Sequence, residues 1–93
     1  MQPFEDLPYE TLPAQVQGGI KAYVMNKRAP GHFLSSVLKN DLLGAFSYAD
    51  LSNRQDLHLI VKWLYNEAPS TCWGSKEAFD KWVTQPEKDN GTK

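Results

Sequence analysis

The chain has 93 residues, a formal net charge of −1 and one cysteine, which fits one domain and excludes an internal disulfide, as in proteins of reducing compartments. The charge supplies no global positive field for a duplex backbone, which argues against general DNA binding. No apolar run approaches the roughly 18 residues of a membrane span, and the acidic, proline-interrupted start MQPFEDLPYE lacks the basic and apolar regions of a signal peptide, so the expectation is a small cytosolic globular protein.

Residues 1–8 hold two prolines and little pattern, and read as an arm. Thr11 is the candidate N-cap of a first helix, with Pro13 in its first turn. Leu12, Val16, Ile20, Tyr23 and Val24 recur at steps of three and four, which is one helical face. Gly18 and Gly19 lie inside this pattern at about 1 kcal/mol each relative to Ala, which predicts a kink or a close backbone approach. The segment from Asn26 to His32 ends the helix, because the residue before Pro30 is pushed out of the α region. A second pattern runs through Phe33, Leu34, Val37, Leu38, Leu42, Ala45, Phe46 and Ala49 as one helix, with Asp41 interrupting its stripe and Gly44 weakening it near the end.

Ser52 and Gln55 match a capping box for a third helix. Its face carries Leu57, Ile60, Val61 and Leu64; Leu59 and Trp63 widen it, so cover on two sides is expected. Pro69 stops this helix, and Ser75 caps a short last one with Phe79, Trp82 and Val83 inward. The tail from Gln85 is polar and expected to be disordered. No segment alternates as a strand does. The expected fold is all-α, a small bundle of three main helices with the first kinked, plus a short C-terminal helix. A single domain over residues 9–84 follows an arm (1–8) and precedes a tail (85–93).

The stretch NEAPSTCWGS holds the lone Cys72. A thiol nucleophile needs a base in reach and a lowered pKa, and nothing in spacing links Cys72 to His32 or His58. One cysteine and two scattered histidines also lack metal-ligand spacing. The stretch therefore reads as a shaped turn: Gly74 takes a positive φ, Ser75 caps, Trp73 anchors and Cys72 packs. Asp41, Asp50, Asp56 and Glu67 are accounted for by caps and salt bridges, and no phosphate-loop, dinucleotide or zincin motif is present. No cofactor or metal is expected, and no enzymatic activity.

Two groups point to binding. Lys27, Arg28, Gly31 and His32 form a basic turn at a helix start opening with Pro30, which reads either as a solvated basic helix end or as a small phosphate site. Phe4 and Tyr9, in and beside the arm, either staple it to the bundle or stack on a purine ring. Eleven aromatic residues, three Trp, four Tyr and four Phe, are generous for so short a chain, which marks some of them for an interface or a ligand pocket.

The run PGHFLSSVLKNDLLGAF, then Ala49-Asp50 and Asn53, then IVKWLYNEAPSTCWGS and Trp82, resembles a pattern of small tailed-phage and prophage proteins, and over residues 9–83 the chain is similar to the phage anti-CBASS sponge proteins. The resemblance implies a compact helical protein of the host bacterial cytoplasm that assembles as a hexamer. It implies immune evasion by sequestering cyclic di- and trinucleotide signals without cleaving them. By region, Tyr9 matches the base-stacking tyrosine and Lys27 the phosphate-binding lysine, with Arg28 a rival for the phosphate. Asn66 to Thr71 matches a second site, where Ser70 and Thr71 are the hydrogen-bonding groups and Glu67 would repel phosphate. Two other readings stand beside it: a phage protein that binds and blocks a host protein, motivated by the excess aromatics and acidic arm, and a small hydrolase of cyclic nucleotides.

Overall fold

A computed structural model describes residues 4–84; the expected disordered tail, residues 85–93, lies outside the described residues. Among these the fold is all-α, with no strand. Five α-helices follow one another: α1 Ala14–Asn26, α2 His32–Leu38, α3 Leu42–Tyr48, α4 Leu51–Glu67 and α5 Lys76–Thr84. Short 3-10 turns occupy Phe4–Asp6, Tyr9–Thr11 and Ser70–Cys72.

The core gathers one side of every helix. Val16, Ile20, Tyr23 and Val24 of α1 are buried, the same residues that the three-and-four spacing selects. They meet Phe33, Leu34, Val37 and Leu38 of α2, Ala45 of α3, Ile60, Trp63 and Leu64 of α4, and Phe79 and Trp82 of α5. Each fully buried aliphatic or aromatic side chain contributes on the order of 1.5–3 kcal/mol. The expected close approach in α1 falls at Gly19, where a methyl group would come within 2.9 Å of Leu34 Cδ1. That position lets α2 pack directly on the α1 backbone.

Four helix boundaries differ from the sequence reading. First, Thr11 does not cap α1. It ends a 3-10 turn, its hydroxyl donates to the Pro8 carbonyl at 2.7 Å, and Pro13 holds the N-cap position. Second, α2 starts at His32 with Gly31 as its N-cap, rather than at Pro30.

Third, the long second helix is two helices. Asn40 takes a left-handed φ of 63°, and the Asp41 carboxylate accepts from the Gly44 amide at 3.0 Å to start α3. Asp41 is therefore a cap rather than a flaw in a stripe, and Gly44 lies in a first turn rather than near an end. Fourth, Asp50, not Ser52, caps α4, accepting from the Asn53 amide at 2.9 Å.

Splitting the second helix changes which side chains are inside. Ala45 and Ala49 face the core, while Leu42 and Phe46 are exposed. On α4 the inward residues are Ile60, Trp63 and Leu64, with Leu57 partly buried. Leu59, Val61 and Tyr65 are exposed, so within the chain α4 is covered on one side only.

Candidate functional site

The arm is pinned to the bundle. Leu7, Tyr9 and Leu12 are buried. The Tyr9 hydroxyl donates to the Phe4 carbonyl at 2.7 Å, and its ring lies 5.4 Å from that of Trp63. Trp63 in turn donates its indole N–H to the Pro8 carbonyl at 3.0 Å. Of the two readings of the arm aromatics, the staple is what the fold adopts. Tyr9 is 7% exposed and offers little ring face to a ligand in this conformation. Burial pushes its hydroxyl pKa up to about 12.

Two clefts flank this arm and share Leu7 as a wall. One, of about 390 Å³, is bordered by Glu5, Tyr9, Glu10, Gln17 and Lys21, with the Lys21 ammonium 5.7 Å from the centre of the Tyr9 ring. The other, of about 340 Å³, is bordered by Phe4, Asn66, Glu67, Pro69, Ser70 and Thr71. The sequence reading placed Ser70 and Thr71 in a candidate site, and both are exposed beside this cleft. It missed Lys21 and Gln17. Their signal was the i, i+4 spacing of two polar residues on the flank of α1 beside its buried face.

The basic turn comes apart into separate contacts. Lys27 adopts a left-handed φ of 59°, and its ammonium sits 3.7 Å from the centre of the Trp82 ring, a cation–π contact worth about 0.5–2 kcal/mol. The exposed His32 ring stacks on Tyr48 at 4.9 Å. Arg28 and Gly31 are exposed, and the Arg28 guanidinium has no ion pair among the described residues. Of the two cations weighed for phosphate, Arg28 is thus the one with an unengaged head group, whereas Lys27 already has a structural partner.

The loop between α4 and α5 is a shaped turn, as its sequence predicts. Gly74 takes φ 106° and donates its amide to the Leu38 carbonyl at 2.8 Å. Ser75 accepts from the Ala78 amide at 3.0 Å. The buried Tyr23 hydroxyl donates to the Cys72 carbonyl at 2.6 Å, tying α1 to this loop.

Cys72 is fully buried, and desolvation pushes its thiol from an ordinary 9.0 up to about 12. Alkylation needs the thiolate. Native protein at mildly alkaline pH should therefore stay unmodified by iodoacetamide, and the same protein in urea should gain one adduct by intact mass. Rapid labelling of the native chain would mean that this loop opens readily.

Among the described residues no group of three or more His, Cys, Asp or Glu is placed to hold a metal ion, and no helix is long and apolar enough to cross a membrane. No protein-family model, curated protein or solved structure matches the chain.

Proposed function

We propose that the chain is a phage anti-defence protein that binds and sequesters cyclic di- and trinucleotide immune signals without cleaving them, working as an assembly of its own copies in the host bacterial cytoplasm. The observation that carries this reading is the pair of clefts that share Leu7. Each is at the low end of the roughly 300–1,000 Å³ of small-molecule sites. The one beside Ser70 has Phe4, Leu7 and Pro69 as apolar walls with polar groups among them, and the one beside Lys21 is bordered mainly by polar side chains around Leu7. A cyclic dinucleotide repeats one nucleotide unit about a two-fold axis. A half-sized cleft, duplicated by the two-fold axis of a protomer pair, matches that symmetry.

The charges decide where phosphate would go. Glu5 and Glu10 border one cleft and Glu67 the other. Carboxylates repel phosphate, so the clefts suit the base and sugar portions. Lys21 and the exposed Arg28 are the cations for phosphate, and Ser70 and Thr71 serve as neutral hydrogen-bonding groups. Lys27 is ranked below Arg28 because it would have to leave the Trp82 ring.

The test is native mass spectrometry of the full chain with a panel of cyclic di- and trinucleotides. Intact ligand retained at one per protomer pair is the expected result. A ligand-free spectrum at high nucleotide concentration overturns the reading. Appearance of a linear product would favour the hydrolase instead. The alternative, a phage protein that blocks a host protein, draws on the apolar surface of α3 and α4. Its signature is a stable host complex with no nucleotide affinity.

A further inference from the structure

The outer surface of α3 and the start of α4 carries more apolar area than a small monomer ordinarily shows. Leu42, Leu43, Phe46 and Leu51 are 55–80% exposed. At 100° per residue, Leu42, Phe46 and Leu43 fall within one arc of about 100° on α3, beside the buried Ala45. Arg54 of α4 lies 4.9 Å over the Phe46 ring, which joins the two helices into one patch. Leu57 and Val61 continue it along α4 from Arg54 at steps of three and four, the spacing of one helical face. Beside it opens a cavity of about 80 Å³ whose lining joins Val37, Leu42, Ala45, Leu57, Val61 and Trp73 to the polar Asn40 and Asp41. This is a hole of side-chain size next to protruding side chains.

We propose that this face is the contact between two copies of the chain, related by a two-fold axis, with Leu42, Leu43 and Phe46 of each copy packed against the same residues of the other. Area is the first argument. The exposed side chains supply several hundred Å², at or above the 300–600 Å² or so of the largest patch on an ordinary monomer. With a polar rim, that approaches the roughly 800 Å² that each partner gives to a standard interface.

Charge is the second argument. Arg54 stands on the patch and forms no ion pair with any described residue. Asp41 and Asp50 stand at its rim, at the starts of α3 and α4. A patch with both signs is complementary to itself under a two-fold rotation, where a partner of one sign would leave either Arg54 or the carboxylates unmatched.

This inference deepens the self-association in the reading above and does not depend on its ligand. The experiment is sedimentation velocity of the full chain without nucleotide, over a concentration series. The wild-type chain should associate at micromolar concentration. Leu43→Glu and Phe46→Glu should each weaken association by at least about 30-fold, the effect of a hot-spot residue. Both sites are exposed, so both variants should keep the wild-type circular dichroism spectrum.

Leu59→Glu is the control, because Leu59 is exposed and at 100° per residue lies about 140–160° around α4 from Arg54 and Val61, and it should associate as wild type. A wild-type chain that stays monomeric throughout overturns the proposal. So does Leu59→Glu disrupting association as strongly as the other two. A monomer that instead complexes another protein through Leu43 also overturns it and returns the face to the host-partner reading. Loss of nucleotide binding with association intact would count against the sequestration reading alone.

Discussion

Trp82→Ala is expected to cost the fold about 3–5 kcal/mol through the lost ring volume alone. More is lost because the ring organises three parts of the chain. Its indole N–H donates to the Tyr23 carbonyl at 2.8 Å in the last turn of α1. Its ring packs 5.9 Å from Phe4 of the arm and 6.4 Å from Tyr23, and it lies under the Lys27 ammonium. A domain of this size holds about 5–15 kcal/mol in total, so the alanine variant should melt at much lower urea or be unfolded outright.

Trp82→Phe keeps a ring beneath Lys27 and removes the indole N–H. The Tyr23 carbonyl still accepts from the Lys27 amide at 3.0 Å, so its cost should be nearer 1–2 kcal/mol. Urea titrations followed by circular dichroism separate the two. Equal loss in both variants would mean that the hydrogen bond, not the ring, carries the contact.

The contrast has a bearing on ligand studies. Lys27→Ala removes a cation from over the Trp82 ring, a packing contact worth about 0.5–2 kcal/mol. A drop in nucleotide affinity in that variant mixes a binding effect with a packing effect. Arg28→Ala carries no such burden among the described contacts and is the cleaner probe of the phosphate site.

What the sequence disclosed follows from how far apart the deciding residues lie. The α1 face was legible because Val16, Ile20, Tyr23 and Val24 answer to one helix and one core. The loop was legible because Gly74 and Ser75 act locally, through a backbone angle and a cap. The break at Asn40-Asp41 was hidden by a helical period that continues across it. Leu38 and Leu42 are four apart whether or not the chain turns between them. The signal was local but easily overridden: Asn tolerates a left-handed φ, and Asp is a strong cap.

Once the break was missed, the inward arc was drawn through Leu42, Ala45, Phe46 and Ala49 together, where the fold buries only the smaller Ala45 and Ala49 and leaves the two large residues outside. Periodicity finds an apolar arc but not its partner. The same limit applied to Tyr9 and Trp63, whose pairing is a tertiary fact that no spacing within either segment records. The clefts depend on that pairing, so their walls could be named only in part from sequence, through Ser70 and Thr71 but not through Lys21.

Tyr9→Ala is expected to cost about 3–5 kcal/mol and to release the arm, since Tyr9 supplies the ring against Trp63 and the hydroxyl on the Phe4 carbonyl. Hydrogen exchange should show it directly at the Leu12 amide, which is bonded to the Tyr9 carbonyl at 3.0 Å and should lose protection. Both clefts share the arm residue Leu7, so nucleotide affinity should fall as well, for a reason that has nothing to do with stacking. The comparison that isolates stacking is Tyr9→Phe against Tyr9→Leu. Each keeps an apolar plug under the arm, and only Phe keeps a π face. Buried as the ring is, the two variants should bind cyclic nucleotides alike once their stabilities are matched by working well below their unfolding transitions. An affinity about 10-fold lower in Tyr9→Leu alone, the worth of one stacked base, would mean that the ring leaves Trp63 when ligand arrives and that arm opening is part of binding.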